Sequence, residues 1–241
     1  MAIKVALVIG AGDAIGSAIV RKFADRGYTV CAARRNAEKL QGLVDEQAAR
    51  GNSVHAFSCD ARKEEQVTDL FREIERSIGP LEVVVFNVGA NVPLAILDTD
   101  SRKFFKIWEM ACFAGFLTGR EAARYMTSRE RGTILFTGAT ASVRGAAGFA
   151  AFASAKHGLR ALAQSMAREL GPKNIHVAHV VIDAAVDTAW INENFPDAAA
   201  LKAKDGIVDP KALADNYVML HEQPRNAWTF ELDLRPWIER W

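Results

Sequence analysis

The stretch Gly10-Ala11-Gly12-Asp13-Ala14-Ile15-Gly16 joins a buried apolar run at residues 3–9 to an amphipathic run at about residues 14–26. The first run predicts a β-strand and the second predicts a helix. Glycines at such a junction let the backbone turn tightly and approach a pyrophosphate, while the start of the helix offers unpaired N–H groups. Glycine-rich turns also arise for packing alone, so the rest of the chain decides what this one means.

Strand-like and helix-like segments alternate along the whole chain. Apolar runs typical of strands recur near residues 28–33, 54–59, 81–86, 133–137, 175–182 and 228–234. Amphipathic runs typical of helices lie at about residues 37–50, 63–77, 101–127 and 149–170. Such alternation favours right-handed crossovers and a parallel sheet covered by helices. The sequence therefore predicts one α/β domain over residues 1–241, a doubly wound parallel sheet of about seven strands.

Composition narrows the classes of function. The 241 residues include 30 Lys and Arg against 29 Asp and Glu, a formal net charge of +1, which argues against a nucleic-acid partner. Three cysteines without a CxxC pair argue against a disulfide framework or a metal site and favour a reducing, cytoplasmic location. The apolar runs are shorter than a membrane span, so no membrane partner is expected.

Charged positions predict how a dinucleotide would be held. Arg34 and Arg35 end the second predicted strand, where an acidic residue would bind a ribose diol. A guanidinium pair there favours a 2′-phosphate, and hence NADP(H) over NAD(H), although exposed arginines also end strands without any ligand. The negative charge of Asp13 in the glycine loop disfavours the binding of a phosphate group nearby. Asp60, after the third predicted strand, accepts a hydrogen bond from an adenine amino group or caps the next helix.

The order of these motifs resembles that of the short-chain dehydrogenase/reductase family, over essentially the full chain. Gly10, Ile15 and Gly16 match the family's Thr-Gly-x-x-x-Gly-x-Gly loop, and Ile9 and Ala14 depart from it. The resemblance implies a Rossmann-type fold and a nicotinamide cofactor. Together, the charged positions and the resemblance predict a set of cofactor-binding residues: Gly10, Gly12, Ala14, Ile15, Gly16, Arg34, Arg35, Asp60, Ala61, Asn87, Gly89, Lys156 and Thr188.

The resemblance breaks at the catalytic residues. The family's Asn, Ser and Tyr positions hold Cys112, Ala139 and Phe152, and Lys156 alone remains. Hydride transfer to a carbonyl leaves an alkoxide that needs a proton, which a phenol beside a cation supplies. Phenylalanine has the shape of tyrosine without that proton. The sequence therefore predicts an intact pocket with an atypical or lost proton relay.

Other side chains are candidates for the missing donor. Thr140 points away from the pocket if the chain stays extended at Ala139, and inward if a loop turns it. Ser154 lies roughly 200° around the helix from Phe152, too far to reach the same pocket. Lys156 donates a proton itself if burial lowers its pKa, or only holds the ribose hydroxyls of the cofactor.

The resulting prediction is an NADP(H)-binding oxidoreductase acting on a carbonyl or secondary alcohol of a small apolar substrate, with residues 184–209 covering that substrate. The alternative is a non-catalytic cofactor-binding or regulatory scaffold homologue. A pocket open to solvent with a donor near the nicotinamide favours the enzyme. A pocket filled by Phe149, Phe152 and Trp190 favours the alternative.

The C-terminal part, residues 226–241, is expected to supply the last strand and an apolar tail. A homodimer or homotetramer is predicted from this tail and from the resemblance, and the alternative is a tail packed on its own subunit. The apolar residues concerned are Trp228, Phe230, Trp237, Ile238 and Trp241.

Overall fold

The sheet is central to the computed structural model, which describes residues 3–89 and 91–239. All strand pairs are parallel and follow the order β3-β2-β1-β4-β5-β6-β7, which confirms the predicted doubly wound sheet. Because β1 and β4 are neighbours, the strand order reverses there and leaves a crevice at their carboxyl ends. The strands are β1 Val5–Ile9, β2 Thr29–Arg34, β3 Val54–Ser58, β4 Leu81–Phe86, β5 Gly132–Thr137, β6 Ile175–Ile182 and β7 Glu231–Leu234.

Helices cover both faces of the sheet. They are α1 Ile15–Asp25, α2 Gln41–Ala49, α3 Glu64–Ser77, α4 Ser101–Trp108, α5 Ala114–Thr127, α6 Ala150–Leu170, α7 Ala189–Asn194, α8 Ala198–Lys202 and α9 Pro210–His221. Within the described ranges, none of these helices is both long and apolar enough to cross a lipid bilayer.

Successive side chains of a strand point to opposite faces of the sheet and pack into two separate apolar cores. In β1, Ala6 and Val8 pack with α1 and α9 on one face. Leu7 and Ile9 pack with α3, α5 and α6 on the other. Every residue of β1 is buried, which explains why the strands read as continuous apolar runs rather than alternating ones. The carboxyl ends of the central strands are thereby held rigidly at one edge of the sheet.

Two predicted elements differ from those observed. The predicted helix over residues 101–127 contains a π-helical turn at Glu109–Phe113 between α4 and α5. The last strand starts at Glu231 rather than residue 228, and Trp228, which lies before it, stacks its ring on that of His176 with centroids 4.8 Å apart. The remaining predicted boundaries differ from the observed ones by a few residues.

Helix α9 was not predicted from the sequence. Its start carries clear signals, because the Asp209 side chain accepts a hydrogen bond from the Lys211 amide and Pro210 occupies the first turn. Leu213 and Tyr217, four residues apart, are buried against the sheet. The helix packs beside α1 and completes one face of the fold.

The C-terminal tail packs partly on its own chain. The Trp237 indole N–H donates to the Lys204 carbonyl at 2.9 Å, although 78% of the Trp237 surface is exposed. Ile238 lies directly on Gly206, where an added Cβ would meet its Cδ1 at 2.5 Å. Trp241 lies outside the described residues. The homodimer or homotetramer stays a prediction.

Candidate cofactor-binding and active site

Two glycines of the glycine loop, Gly10 and Gly16, lie so close to neighbouring backbone atoms that neither position admits a side chain. Gly10 has φ +86°, and a Cβ there would lie 2.4 Å from the Asn87 carbonyl oxygen. A Cβ on Gly16 would lie 2.3 Å from the Gly10 carbonyl oxygen. The Asn87 amide donates to that same oxygen at 3.0 Å. At Gly12, by contrast, an added Cβ meets no atom of the described residues within 4 Å, so this backbone is open to a ligand.

These contacts predict opposite outcomes for two alanine variants. Gly10→Ala is expected to lower the free energy of unfolding by more than about 1 kcal/mol, because it combines a left-handed φ with a clash against Asn87. Gly12→Ala is expected to keep the wild-type melting temperature and to weaken dinucleotide binding, because its methyl group occupies the space a pyrophosphate needs. Thermal unfolding and nucleotide titration measure both. Equal losses of stability would contradict this assignment.

Two cavities adjoin along the carboxyl edge of the sheet. The first, of about 590 Å³, is called the apolar cavity and contains Ala139, Phe152 and Lys156 in its lining. The second, of about 480 Å³, is called the basic cavity and contains Arg34 and Arg35. Both are lined by Gly10, Gly12, Asn87, Val88 and Gly89. Together they form one groove across the glycine loop, an elongated shape suited to a dinucleotide.

The cations of the basic cavity are not equivalent. Arg34 donates to the Asp13 carboxylate at 2.9 Å, so its charge is already paired. That pair also offsets the negative charge that Asp13 places in the glycine loop. Arg35 and Lys39 are exposed, line the same cavity and form no ion pair within the described part of the chain. An anionic ligand group in this cavity therefore has two unpaired cations to contact.

Asp60 is bound by a residue of its own loop. The Arg62 guanidinium forks onto its carboxylate, with Nε at 2.9 Å and Nη2 at 2.5 Å from the two oxygens. These hydrogen bonds hold the pKa of the Asp60 carboxyl below its usual range. Both residues line the basic cavity beside Ala61, so Asp60 stays ionised and able to accept a further hydrogen bond.

Lys156 is enclosed at the base of the apolar cavity. Its Nζ donates to the carbonyl oxygens of Thr137 at 2.8 Å and Val88 at 3.1 Å, and the residue is 2% exposed. Burial lowers its pKa to about 8. The Nζ lies 5.9 Å from the centroid of the Phe152 ring, one helical turn earlier on α6. The ammonium thus sits beside the ring at the position predicted to correspond to the family's tyrosine.

The hydroxyl groups of Thr140, Ser142 and Ser154 have different hydrogen-bond partners. The chain is extended at Ala139 and then turns into a short 3₁₀ helix, Thr140–Ser142, and Thr140 belongs to the lining of the apolar cavity. Its Oγ1 donates to Asp183 at 2.6 Å. Ser142 is buried and accepts from the Ala139 amide. The Ser154 hydroxyl bonds to the backbone of its own helix, away from the cavity.

The apolar cavity is open rather than filled. Phe149 and Phe152 belong to its lining, but Trp190 does not. Trp190 is 56% exposed and contacts Phe195 with ring centroids 5.8 Å apart. Of the two arrangements considered from the sequence, this is the open one, and Lys156 is part of its lining.

The structure collects most of the predicted residues in this groove. Cys112 is not among them: its sulfur packs toward Gly158 on α6, and burial raises the pKa of its thiol. Lys39, Arg62 and Arg144 were not predicted from the sequence, where their only signal was a cation within a few residues of a predicted strand end. The predicted residues that line the groove are Gly10, Gly12, Ala14, Ile15, Gly16, Arg34, Arg35, Asp60, Ala61, Asn87, Gly89, Ala139, Phe152, Lys156 and Thr188.

Together, the strand order, the glycine loop at the reversal point and the buried lysine define a Rossmann-type protein built to bind a nicotinamide dinucleotide. The family model "short chain dehydrogenase" matches residues 4–198, and the chain belongs to this family of oxidoreductases.

Comparison with known proteins agrees with this membership. A 3-oxoacyl-[acyl-carrier-protein] reductase of Bos taurus is 30% identical over 174 residues, which cover 72% of each chain. A 2,3-dihydro-2,3-dihydroxybenzoate dehydrogenase of Bacillus subtilis (strain 168) is 28% identical over 196 residues, covering 79% of this chain and 75% of that one. The crystal structure of a short-chain dehydrogenase from Rhodopseudomonas palustris is 52% identical, with TM-score 0.84, and covers 97% of this chain and 99% of that chain.

Proposed function

We propose that the protein binds NADP(H) along the groove and interconverts a carbonyl group and a secondary alcohol on a small substrate in the apolar cavity. The observation that carries the proposal is the juxtaposition of two unpaired cations, Arg35 and Lys39, at one end of the groove with an open cavity over Lys156 at the other. Arg35 and Lys39 would attract the 2′-phosphate of NADP(H) at the first end of the groove, and the cavity over Lys156 would receive a substrate carbonyl at the second.

The residues present fit such a dinucleotide. The open backbone at Gly12 and the start of α1 would receive the pyrophosphate, because the first amides of a helix are unpaired there. Asp60 and Ala61 would hold the adenine, Arg34 and Arg35 the 2′-phosphate, and Thr188 the carboxamide. When bound, the nicotinamide supplies or accepts the hydride.

In this proposal, Lys156 donates the proton that the substrate oxygen receives when the carbonyl group is reduced. Two of its three N–H groups are bonded to carbonyl oxygens, which leaves one for the substrate oxygen as that oxygen gains negative charge. A pKa of about 8 suits a general acid near neutral pH. The neutral amine left behind is reprotonated from water. The usual alternative donors are missing, because alanine and phenylalanine stand at positions 139 and 152.

A second candidate function follows from the same absence. Ala139, Phe152 and Cys112 offer the substrate oxygen neither the serine hydroxyl nor the phenol nor the amide of the family relay. A protein that binds the cofactor without turning it over, in a regulatory or scaffold role, is consistent with these three replacements. The experiment on Lys156 separates the two candidates.

Lys156→Met is expected to lower the rate of NADPH-dependent carbonyl reduction by about 10²-fold or more, because it removes the proposed proton donor. The wild-type rate is expected to fall as the pH rises through about 8, since the ammonium then loses its proton. NADPH absorbance across a panel of ketones and aldehydes measures the rate, and nucleotide titration separates loss of chemistry from loss of binding.

The matched control is Lys173→Met, which removes an exposed lysine just beyond α6. It should leave the rate and its pH profile unchanged. Unaltered turnover in a folded Lys156→Met protein would reject the role of Lys156. A wild-type protein that binds NADPH but reduces no carbonyl would support the non-catalytic candidate.

A further inference from the structure

We infer that the apolar cavity takes substrates that carry a carboxylate and that Arg144 is the residue that binds this group. This inference rests on the proposed function, because it names the substrate class of the same site. Arg144 follows the 3₁₀ helix at Thr140–Ser142 and lines the cavity together with Ala139 and Phe152.

Arg144 is the available charge of this cavity. Its lining includes two other charged residues, Asp13 and Lys156. Asp13 belongs to the glycine loop and is paired with Arg34. The one Lys156 N–H that is not bonded to a backbone carbonyl is assigned above to the substrate carbonyl oxygen, so it does not serve a second substrate group. The Arg144 side chain is 48% exposed and stands beside the positions of the missing catalytic serine and tyrosine, where a substrate would lie.

The neighbouring carboxylates do not saturate this guanidinium. Its Nη2 is 3.4 Å from Asp183 Oδ1 and 3.7 Å from Glu239 Oε1, both longer than the roughly 2.7–2.9 Å of a charge-assisted hydrogen bond. Asp183 Oδ1 already accepts the Thr140 hydroxyl at 2.6 Å, and Arg235 Nη1 lies 3.4 Å from its other oxygen, Oδ2. The Arg144 Nε and Nη1 form no hydrogen bond with the residues the structure describes.

Other arginines in the same molecule show what a saturated guanidinium looks like. Arg160 forks onto Glu231 through Nε and Nη2 at 2.6 and 2.7 Å. Arg21 forks onto Glu46 at 2.8 and 2.6 Å. Arg144 lies near two carboxylates and forks onto neither, so its planar pair of donors remains free to bind an external carboxylate in the same bidentate way.

The surroundings favour a monoanion on an apolar body. Asp183 and Glu239 add negative charge beside Arg144, which disfavours a doubly charged phosphate more than a singly charged carboxylate. Most of the remaining lining is hydrocarbon or aromatic, including Phe149 and Ile182. The geometry therefore points to oxo acids with an alkyl or aryl body, or to the matching hydroxy acids.

The test compares an oxo acid with its neutral ester. Benzoylformate and methyl benzoylformate share the ketone and the phenyl ring and differ in charge. Calorimetric titration of the protein loaded with NADP⁺, in which no reduction occurs, is expected to show the acid binding about tenfold more tightly than the ester. Arg144→Gln is expected to abolish this preference. Arg131→Gln, which removes a remote exposed guanidinium paired with Glu82, should retain it.

A wild-type protein with no preference for the acid would overturn the inference, as would a preference that survives in Arg144→Gln or disappears in Arg131→Gln. Because the titration measures binding without turnover, it fails or succeeds separately from the proposed function. Absence of carbonyl reduction would reject the catalytic role and leave an Arg144-dependent preference for the acid intact. If NADP⁺ itself does not bind, the same titration is made on the protein alone.

Discussion

Ala139→Ser combined with Phe152→Tyr is expected to raise the kcat/KM of NADPH-dependent carbonyl reduction by about 10²–10⁴-fold, the range a positioned general acid contributes. Both side chains line the apolar cavity, so the two new hydroxyl groups enter the space where a substrate carbonyl lies. The Lys156 ammonium is 5.9 Å from the ring at position 152, close enough to lower the pKa of a phenol there from its usual value of about 10.

The matched control adds the same two hydroxyl groups to the apolar cavity, but at positions that do not correspond to the family's catalytic serine and tyrosine. Ala141→Ser with Phe149→Tyr also alters the lining of the apolar cavity, but these positions are not aligned with the family's serine and tyrosine. The control should leave kcat/KM near the wild-type value. Equal rates for the wild-type and the restored protein, with NADPH binding retained, would mean that the cavity itself no longer positions a carbonyl for reduction, and the non-catalytic candidate would then be favoured.

Arg35→Glu is expected to weaken NADPH binding by about 10²-fold while leaving NADH binding unchanged or slightly stronger. Arg35 is exposed and unpaired within the described residues, whereas Arg34 is already bound to Asp13, so Arg35 carries more of the attraction for a 2′-phosphate. Loss of a charged hydrogen bond costs about 1.5–3 kcal/mol, and the new carboxylate adds repulsion. A carboxylate at this strand end is also suited to a ribose diol.

Titration of each protein with both nucleotides measures this switch. Arg76→Glu makes the same change of charge on the exposed side of α3 and should leave both affinities unaltered. Arg34→Gln is expected to have a smaller effect on NADPH than Arg35→Glu. Equal binding of NADPH and NADH by the wild-type protein would refute the NADP(H) preference directly.

The sequence alone was sufficient for the features that are local in the chain. Continuous apolar runs predicted the strands, because every residue of a central parallel strand is buried on one face or the other. The glycine spacing located the turn between β1 and α1. The resemblance predicts Ala139 and Phe152 at the family's serine and tyrosine positions, and the absence of a hydroxyl there is a property of the residues themselves.

Tertiary structure decided which of these residues are free to act. Arg34 and Asp13 are paired although they are 21 residues apart, and Arg144 meets Asp183 across 39 residues. The direction of Thr140 depends on a turn with no strong local signal. Such contacts depend on strand register and on loop paths between distant segments, which local periodicity does not encode. The sequence therefore determined the fold, and only the packed chain showed which cations remain unpaired for ligands.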